Sequence, residues 1–250
     1  MKPYLLLAMS LIGCATAAKE DGNANPDGGL QRPDGSTSSI DGAPSTLDAF
    51  VPVDAPPGVQ EKTLTQTTNT TMTPEASIAC NDGVSTSENS WYRVFRLSDS
   101  QIASAFQPTR VTFQVDWAAA GAGGMQPVQV SVGSYTGTVD ATTIDLTKVT
   151  NLGSAIAMVP DGDATVAIPP AMEVPITSGP VPASGNLIVE VRAPDGIPAG
   201  NIFFLGVSTG GESHPGYLRA TTAACDFVTP TSLVSKGHAI HALIQVTGTY

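Results

Sequence analysis

Residues able to do chemistry are few in this chain, and none form an obvious set. There are three histidines. His214 sits in Gly211-Glu212-Ser213-His214-Pro215-Gly216, a turn, while His238 and His241 stand at the start of the last apolar run. Three residues apart on a strand, His238 and His241 point to opposite faces, so they do not make a zinc pair. No His-Glu-x-x-His motif occurs. The acid pairs Asp161/Asp163 and Asp140/Asp145 are of a type that serves glycoside hydrolysis when two carboxyls face each other across a bond. Asp161-Gly162-Asp163 reads more simply as a hairpin turn, or as oxygen ligands for calcium. These two aspartates are therefore weak calcium candidates, and no other metal or cofactor is expected. Trp91, Tyr92, Trp117, Tyr135 and Tyr217 could stack on a sugar. The alternation around Trp91 and Trp117 assigns both to a core face. Tyr92 and Tyr217 are then the expected exposed ligand-binding residues. No catalytic residue is assigned, and an enzyme is not expected.

The cysteines carry more information. There are three, Cys14, Cys80 and Cys225. An odd count in an exported chain leaves one thiol to explain. Lys2 and the apolar run Leu5 to Ile12 precede Leu11-Ile12-Gly13-Cys14. The run has the length of an export signal and is far below the ~20 residues that span a bilayer. The stretch resembles a bacterial lipobox, which implies cleavage before Cys14 and lipidation of its thiol. Several acyl chains at ~0.8 kcal/mol per buried CH2 give stable anchoring where one is marginal. Ala15 after the cysteine implies the outer membrane if the cell is Gram-negative. The alternative is an ordinary signal peptide cut near Ala15-Thr16-Ala17-Ala18. Cys80 and Cys225 remain to pair as a disulfide in an oxidising compartment. Neither has a neighbouring His or Lys to make it reactive.

Residues 14–60 are expected to be a disordered Asp/Gly/Pro-rich tether. Phe50 is its one aromatic, too little apolar surface to offset the entropy of ordering. Asp27, Asp34, Asp41 and Asp48 recur every seven residues without an apolar seam, so the period is not a coiled coil. A flexible spacer of this length reaches roughly 35 Å. Asp21 to Asp27 faintly echoes a calcium loop, but Pro26 and Arg32 occupy the positions that need Gly and Glu. The chain carries a net charge of −11, and no stretch clusters Lys and Arg. Nucleic acid is excluded as an expected partner, because phosphate neutralisation needs such clusters.

Residues 61–250 are read as one domain. Trp91 to Leu97, Arg110 to Trp117, Val128 to Val132 and Leu187 to Val191 alternate apolar with polar residues. Leu152 to Val159, Ala164 to Ile168, Ile202 to Val207, Tyr217 to Ala220 and Ala239 to Val246 add further strand signals, separated by Gly and Pro turns. About ten short strands with almost no helical periodicity predict an all-β fold, an antiparallel β-sandwich or jelly roll.

Glu88-Asn89-Ser90-Trp91-Tyr92-Arg93-Val94-Phe95, the Gly121-to-Val132 segment, Leu187-Ile188-Val189-Glu190-Val191 into Pro194-Asp195-Gly196, Gly200-Asn201 before Phe203-Phe204-Leu205-Gly206, and Cys225 carry a second resemblance. Together they resemble an uncharacterised domain of large bacterial secreted proteins, often appended to hydrolases or cell-surface modules. The resemblance implies an extracellular setting and no particular activity. The leading expectation is a membrane-anchored lipoprotein displaying a non-catalytic domain for glycan, protein or another envelope component. The alternatives are a purely structural or adhesive surface domain and, less favoured, a secreted hydrolase. A glycan reader should show exposed coplanar aromatics or a calcium site at one end of the sandwich; a structural domain should show neither.

Overall fold

The computed structural model describes residues 58–222 and 225–250. Cys14, the expected signal peptide and residues 14–57 of the expected tether lie outside the described residues.

Among the described residues, regular structure is β throughout, apart from short 3-10 turns. The strands are β1 (Glu61–Leu64), β2 (Asn89–Arg96), β3 (Gln107–Phe113), β4 (Val115–Ala119), β5 (Met125–Tyr135), β6 (Val149–Pro160), β7 (Gly162–Asp163) and β8 (Met172–Pro175). They continue with β9 (Asn186–Ala193), β10 (Ile202–Leu205), β11 (Val207–Ser208), β12 (Tyr217–Ala220), β13 (Thr231–Ser232), β14 (His241–Ala242) and β15 (Ile244–Thr249). Every strand pairing is antiparallel. The alternating apolar pattern therefore has the pairing geometry in which one face packs and the other can be wetted.

One layer is a six-stranded sheet in the order β13-β12-β2-β9-β5-β6. The other is built from β1-β15-β3-β8, β10-β4-β7 and β11-β14. These three pieces are continuous in chain: β3 runs into β4, β10 into β11, and β14 into β15. They are joined where each run breaks. Gly206 N donates to Gln114 O (2.8 Å), Gln114 N to Leu243 O (3.2 Å) and Leu243 N to Gly206 O (3.0 Å). This closed triangle satisfies the backbone groups freed by the three breaks. Position 206 must be glycine: a Cβ there would lie 2.5 Å from Gln114 Cβ and 2.8 Å from Met72 Sδ. The expected strand Ile202 to Val207 is for this reason two strands.

The core lies between the layers. Trp91, Phe95, Val128, Val130, Val189 and Val191 of the six-stranded sheet meet Val111, Phe113, Phe203, Leu205, Ile244 and Val246 of the other. Trp91 packs edge-on to Phe203 at 5.7 Å between ring centres. A second apolar cluster lies on the other face of the six-stranded sheet: Tyr92, Val94, Tyr135, Ile188 and Tyr217, with Val139 and Ile144 from the 136–148 connection. That connection is tied down by Ile144 N donating to Pro230 O. Cys80 and Cys225 form a disulfide, with a sequence separation of 145 and 6.0 Å between their Cα atoms.

Two local expectations are corrected. Residues 164–168 form no strand, because Asp163 turns the chain: its backbone oxygen accepts from Val166 N and Ala167 N, and its carboxylate accepts from Thr165. The short strand β8, flanked by proline, was not anticipated. It pairs with β3 and extends that sheet to an edge, where proline is tolerated.

Candidate functional site

Tyr92 and Tyr217 are brought together, but not at the surface. They are cross-strand partners on β2 and β12 and are 3% and 1% exposed. Strand alternation correctly aims both away from the main core; what it does not reveal is the 136–148 connection that covers that face. Burial pushes both hydroxyls well above the ordinary tyrosine range, aided by Glu190 beside Tyr92 and by Asp140 near Tyr217. Tyr92 Oη donates to Glu190 at 2.7 Å. The two tyrosines are thus packing residues, and only an edge of Tyr92 reaches a shallow groove with Arg192 and Arg219.

Trp117 is displaced the other way. The alternation Val111, Phe113, Val115, Trp117 would place it in the core, yet it is 43% exposed. The cause is a β-bulge. Phe204 pairs with Trp117 but Leu205 pairs with Val115, leaving Asp116 as an extra residue on β4. One inserted residue reverses which side chains face inward. Val115 and Ala118 both join the core, opposite Leu205 and Phe203. Trp117 and Phe204 both turn outward. Their rings lie parallel, 9° apart in plane and 5.8 Å between centres.

This aromatic pair lines a cleft of about 380 Å3 together with Glu75, Ser77, Asp116, Asp163 and Thr165, within the size range of small-ligand sites. Asp116 is 5% exposed. Its Oδ1 accepts from Glu75 N at 3.2 Å. Burial raises its carboxyl above the usual range, the amide of Glu75 opposes this, and the carboxylates of Asp163 and Glu75 push it the same way as burial. Asp163 is held below the usual range by the hydroxyl and amide of Thr165. The arrangement offers the open surface of a stacked aromatic pair beside fixed hydrogen-bond acceptors. A pyranose ring presents the complementary surfaces, an apolar face of C–H groups and a rim of hydroxyl donors.

The carboxylates of Asp161 and Asp163 are each engaged in a separate turn. Both oxygens of Asp161 close the glycine-rich 118–124 loop, accepting from Ala120 N (2.7 Å) and Gly124 N (2.9 Å). Gly121 of that loop lies so close to Ala199 O that a Cβ would meet it at 1.8 Å. Among the described residues no group of three or more His, Cys, Asp or Glu side chains converges to hold a metal ion. Asp145 caps a 3-10 turn through Thr147 N at 3.0 Å. Asp140 bonds His214.

His214 and His241 lie in a polar cluster built from residues distant in sequence, whereas His238 packs beside the Phe227 ring, 6.1 Å between ring centres. Arg93 belongs to the core face of β2, between Trp91 and Phe95, and is fully buried. Its guanidinium donates to Ala242 O (3.1 and 2.8 Å), His214 O (2.8 Å) and Glu212 Oε2 (2.5 Å). Burial pulls Arg93 below the usual arginine value, and Glu212 opposes that. His241 Nδ1 lies 3.1 Å from the same Glu212 oxygen. His214 is held between Asp140 (2.6 Å) and Asp99 (2.9 Å). The chain also holds one Gly-x-Ser-x-Gly pattern, Gly206-Val207-Ser208-Thr209-Gly210. Ser208 is the cross-strand partner of His241, which places serine, histidine and Glu212 in one neighbourhood. It is not an elbow on a strand-to-helix turn. Ser208 is fully buried, its Oγ accepts from Gly210 N at 3.1 Å, and it presents no nucleophile to solvent.

No family model matches the chain, and no curated protein matches it. Among solved structures it is similar to a clostridial cysteine protease, Cwp84 after propeptide cleavage, with a TM-score of 0.47 and 14% identity over 75% of this chain. The match covers 40% of that structure's chain, so this chain spans well under half of it.

Proposed function

We propose that this protein is an exported lipoprotein, anchored through Cys14, whose β-sandwich binds a glycan at the Trp117–Phe204 cleft without acting on it. The observation that carries the binding reading is the bulge at Asp116. It turns a tryptophan out of a core-facing alternation and lays it parallel to Phe204 beside three acidic side chains. Exposing an indole forgoes burial that would otherwise stabilise the fold, and bulges commonly re-aim a side chain next to a functional site. The anchoring reading rests on the lipobox resemblance, with the pairing of Cys80 and Cys225 leaving Cys14 as the remaining thiol. A glycan array probed with the wild type and with Trp117→Ala tests the binding. Retention of a defined set of glycans by the wild type and its loss in the variant is expected; equal signals from both would refute the assignment. Cys14→Ala should move the protein from the membrane fraction to the soluble one, and continued sedimentation with membranes would refute the anchor.

A further inference from the structure

We infer that the glycan taken by the Trp117–Phe204 cleft is a polyhexosamine carrying free, unacetylated amino groups. This rests on the glycan reading of the same cleft and adds the charge of the sugar. Among the described residues, the charged side chains lining the cleft are Glu75, Asp116 and Asp163, with no Lys or Arg. Uronates and other anionic sugars would meet carboxylates only and are rejected. A neutral sugar would use the aromatic face but leave the charge of Asp116, 5% exposed, without a counter-ion. A hexosammonium group answers both features. Over the face of Trp117 it gains a cation–π contact, strongest on indole, and its three N–H donors reach carboxylate acceptors around the rim. The neighbouring residues are consistent with this. Asp163 and Glu75 are close enough to Asp116 to act on its charge, so a single cation relieves repulsion among all three. Trp117 is half open and Glu75 exposed, which leaves room for the chain of sugars to continue past the cleft.

The test uses the full chain in detergent and titrates four probes by calorimetry: a β-1,4-glucosamine hexamer, its fully N-acetylated counterpart, a galacturonic acid hexamer and hexalysine. The glucosamine hexamer is expected to bind about tenfold tighter than the acetylated one. The difference should shrink with added salt and in Glu75→Gln, a substitution at an exposed side chain that keeps its shape. Equal binding of the two hexosamine hexamers, or tighter binding of galacturonate, would overturn this inference and leave the glycan reading standing. Hexalysine binding as tightly as glucosamine, or no binding of any saccharide, would overturn both.

Discussion

Arg93 and Glu212 form a buried ion pair whose removal should be felt by the whole domain. Arg93 is fully buried and makes four hydrogen bonds. Glu212 also accepts from Gly216 N at 3.2 Å, so the pair fixes the 209–216 loop against β2 and β14. Replacing Glu212 by Gln keeps the shape and leaves the guanidinium charge uncompensated; replacing Arg93 by Met strands the carboxylate. Each change should cost about 3–5 kcal/mol, the range for breaking a buried pair from one side. The double variant removes both charges and should cost far less than the sum, with a coupling of about 3 kcal/mol. Urea unfolding followed by tryptophan emission reads this directly, since Trp91 is fully buried. With m near ~2–3 kcal/mol/M, each single variant should lower the midpoint by about 1–2 M. Single effects below about 1 kcal/mol that simply add in the double variant would refute the claim that the pair is desolvated and mutually required.

The remaining predictions concern other parts of the fold. Reducing the Cys80–Cys225 bridge opens a loop of 145 residues; the chain-entropy model gives a loss of up to about 5 kcal/mol, readable as a fall in melting temperature, and an unchanged melting temperature would count against it. Gly206→Ala forces a Cβ against Gln114 and Met72 and should destabilise by about 1–3 kcal/mol; a neutral result would mean the backbone triangle relaxes freely. At alkaline pH, Tyr92 and Tyr217 keep their protons in the fold because both are raised. Their contribution is complete below the unfolded value near ~10 and declines as pH rises beyond it, by up to about 1.4 kcal/mol per pH unit for each. Removing both hydroxyls (Tyr92→Phe with Tyr217→Phe) should flatten that decline. At the acid end, Asp82, Asp145, Asp161 and Asp163 are lowered by local amide and hydroxyl donors. Their stabilisation is present above the ordinary aspartate range and fades as pH falls through their folded values, so loop opening near 118–124 should appear by hydrogen exchange at low pH.

The two-layer antiparallel fold was legible because β2, β5 and β9 alternate cleanly and turn residues punctuate them. What was lost follows from non-local structure. The bulge at Asp116 is set by β10 pairing across it, and nothing in Val111 to Trp117 announces an inserted residue. Tyr92 and Tyr217 were placed on the correct face of their strands, but Val139 and Ile144 cover that face from a segment without periodicity. The partner of Arg93 lies 119 residues away, so only half of that signal could be read: a charged residue on the core face between Trp91 and Phe95 demands a buried carboxylate. The cysteine pairing was legible because counting sufficed.

The central claim is that Trp117 lines a glycan site, and fluorescence titration tests it most directly. With the saccharide selected on the array, the wild type should show protection of one tryptophan from acrylamide quenching, since Trp91 is already buried and Trp117 is 43% exposed. Trp117→Ala should keep its unfolding midpoint and weaken the binding, by about 0.5–2 kcal/mol for a lost stacking contact. If Trp117→Ala binds within about twofold of the wild type, or if the ligand leaves Trp117 as quenchable as before, the site lies elsewhere and the account is wrong.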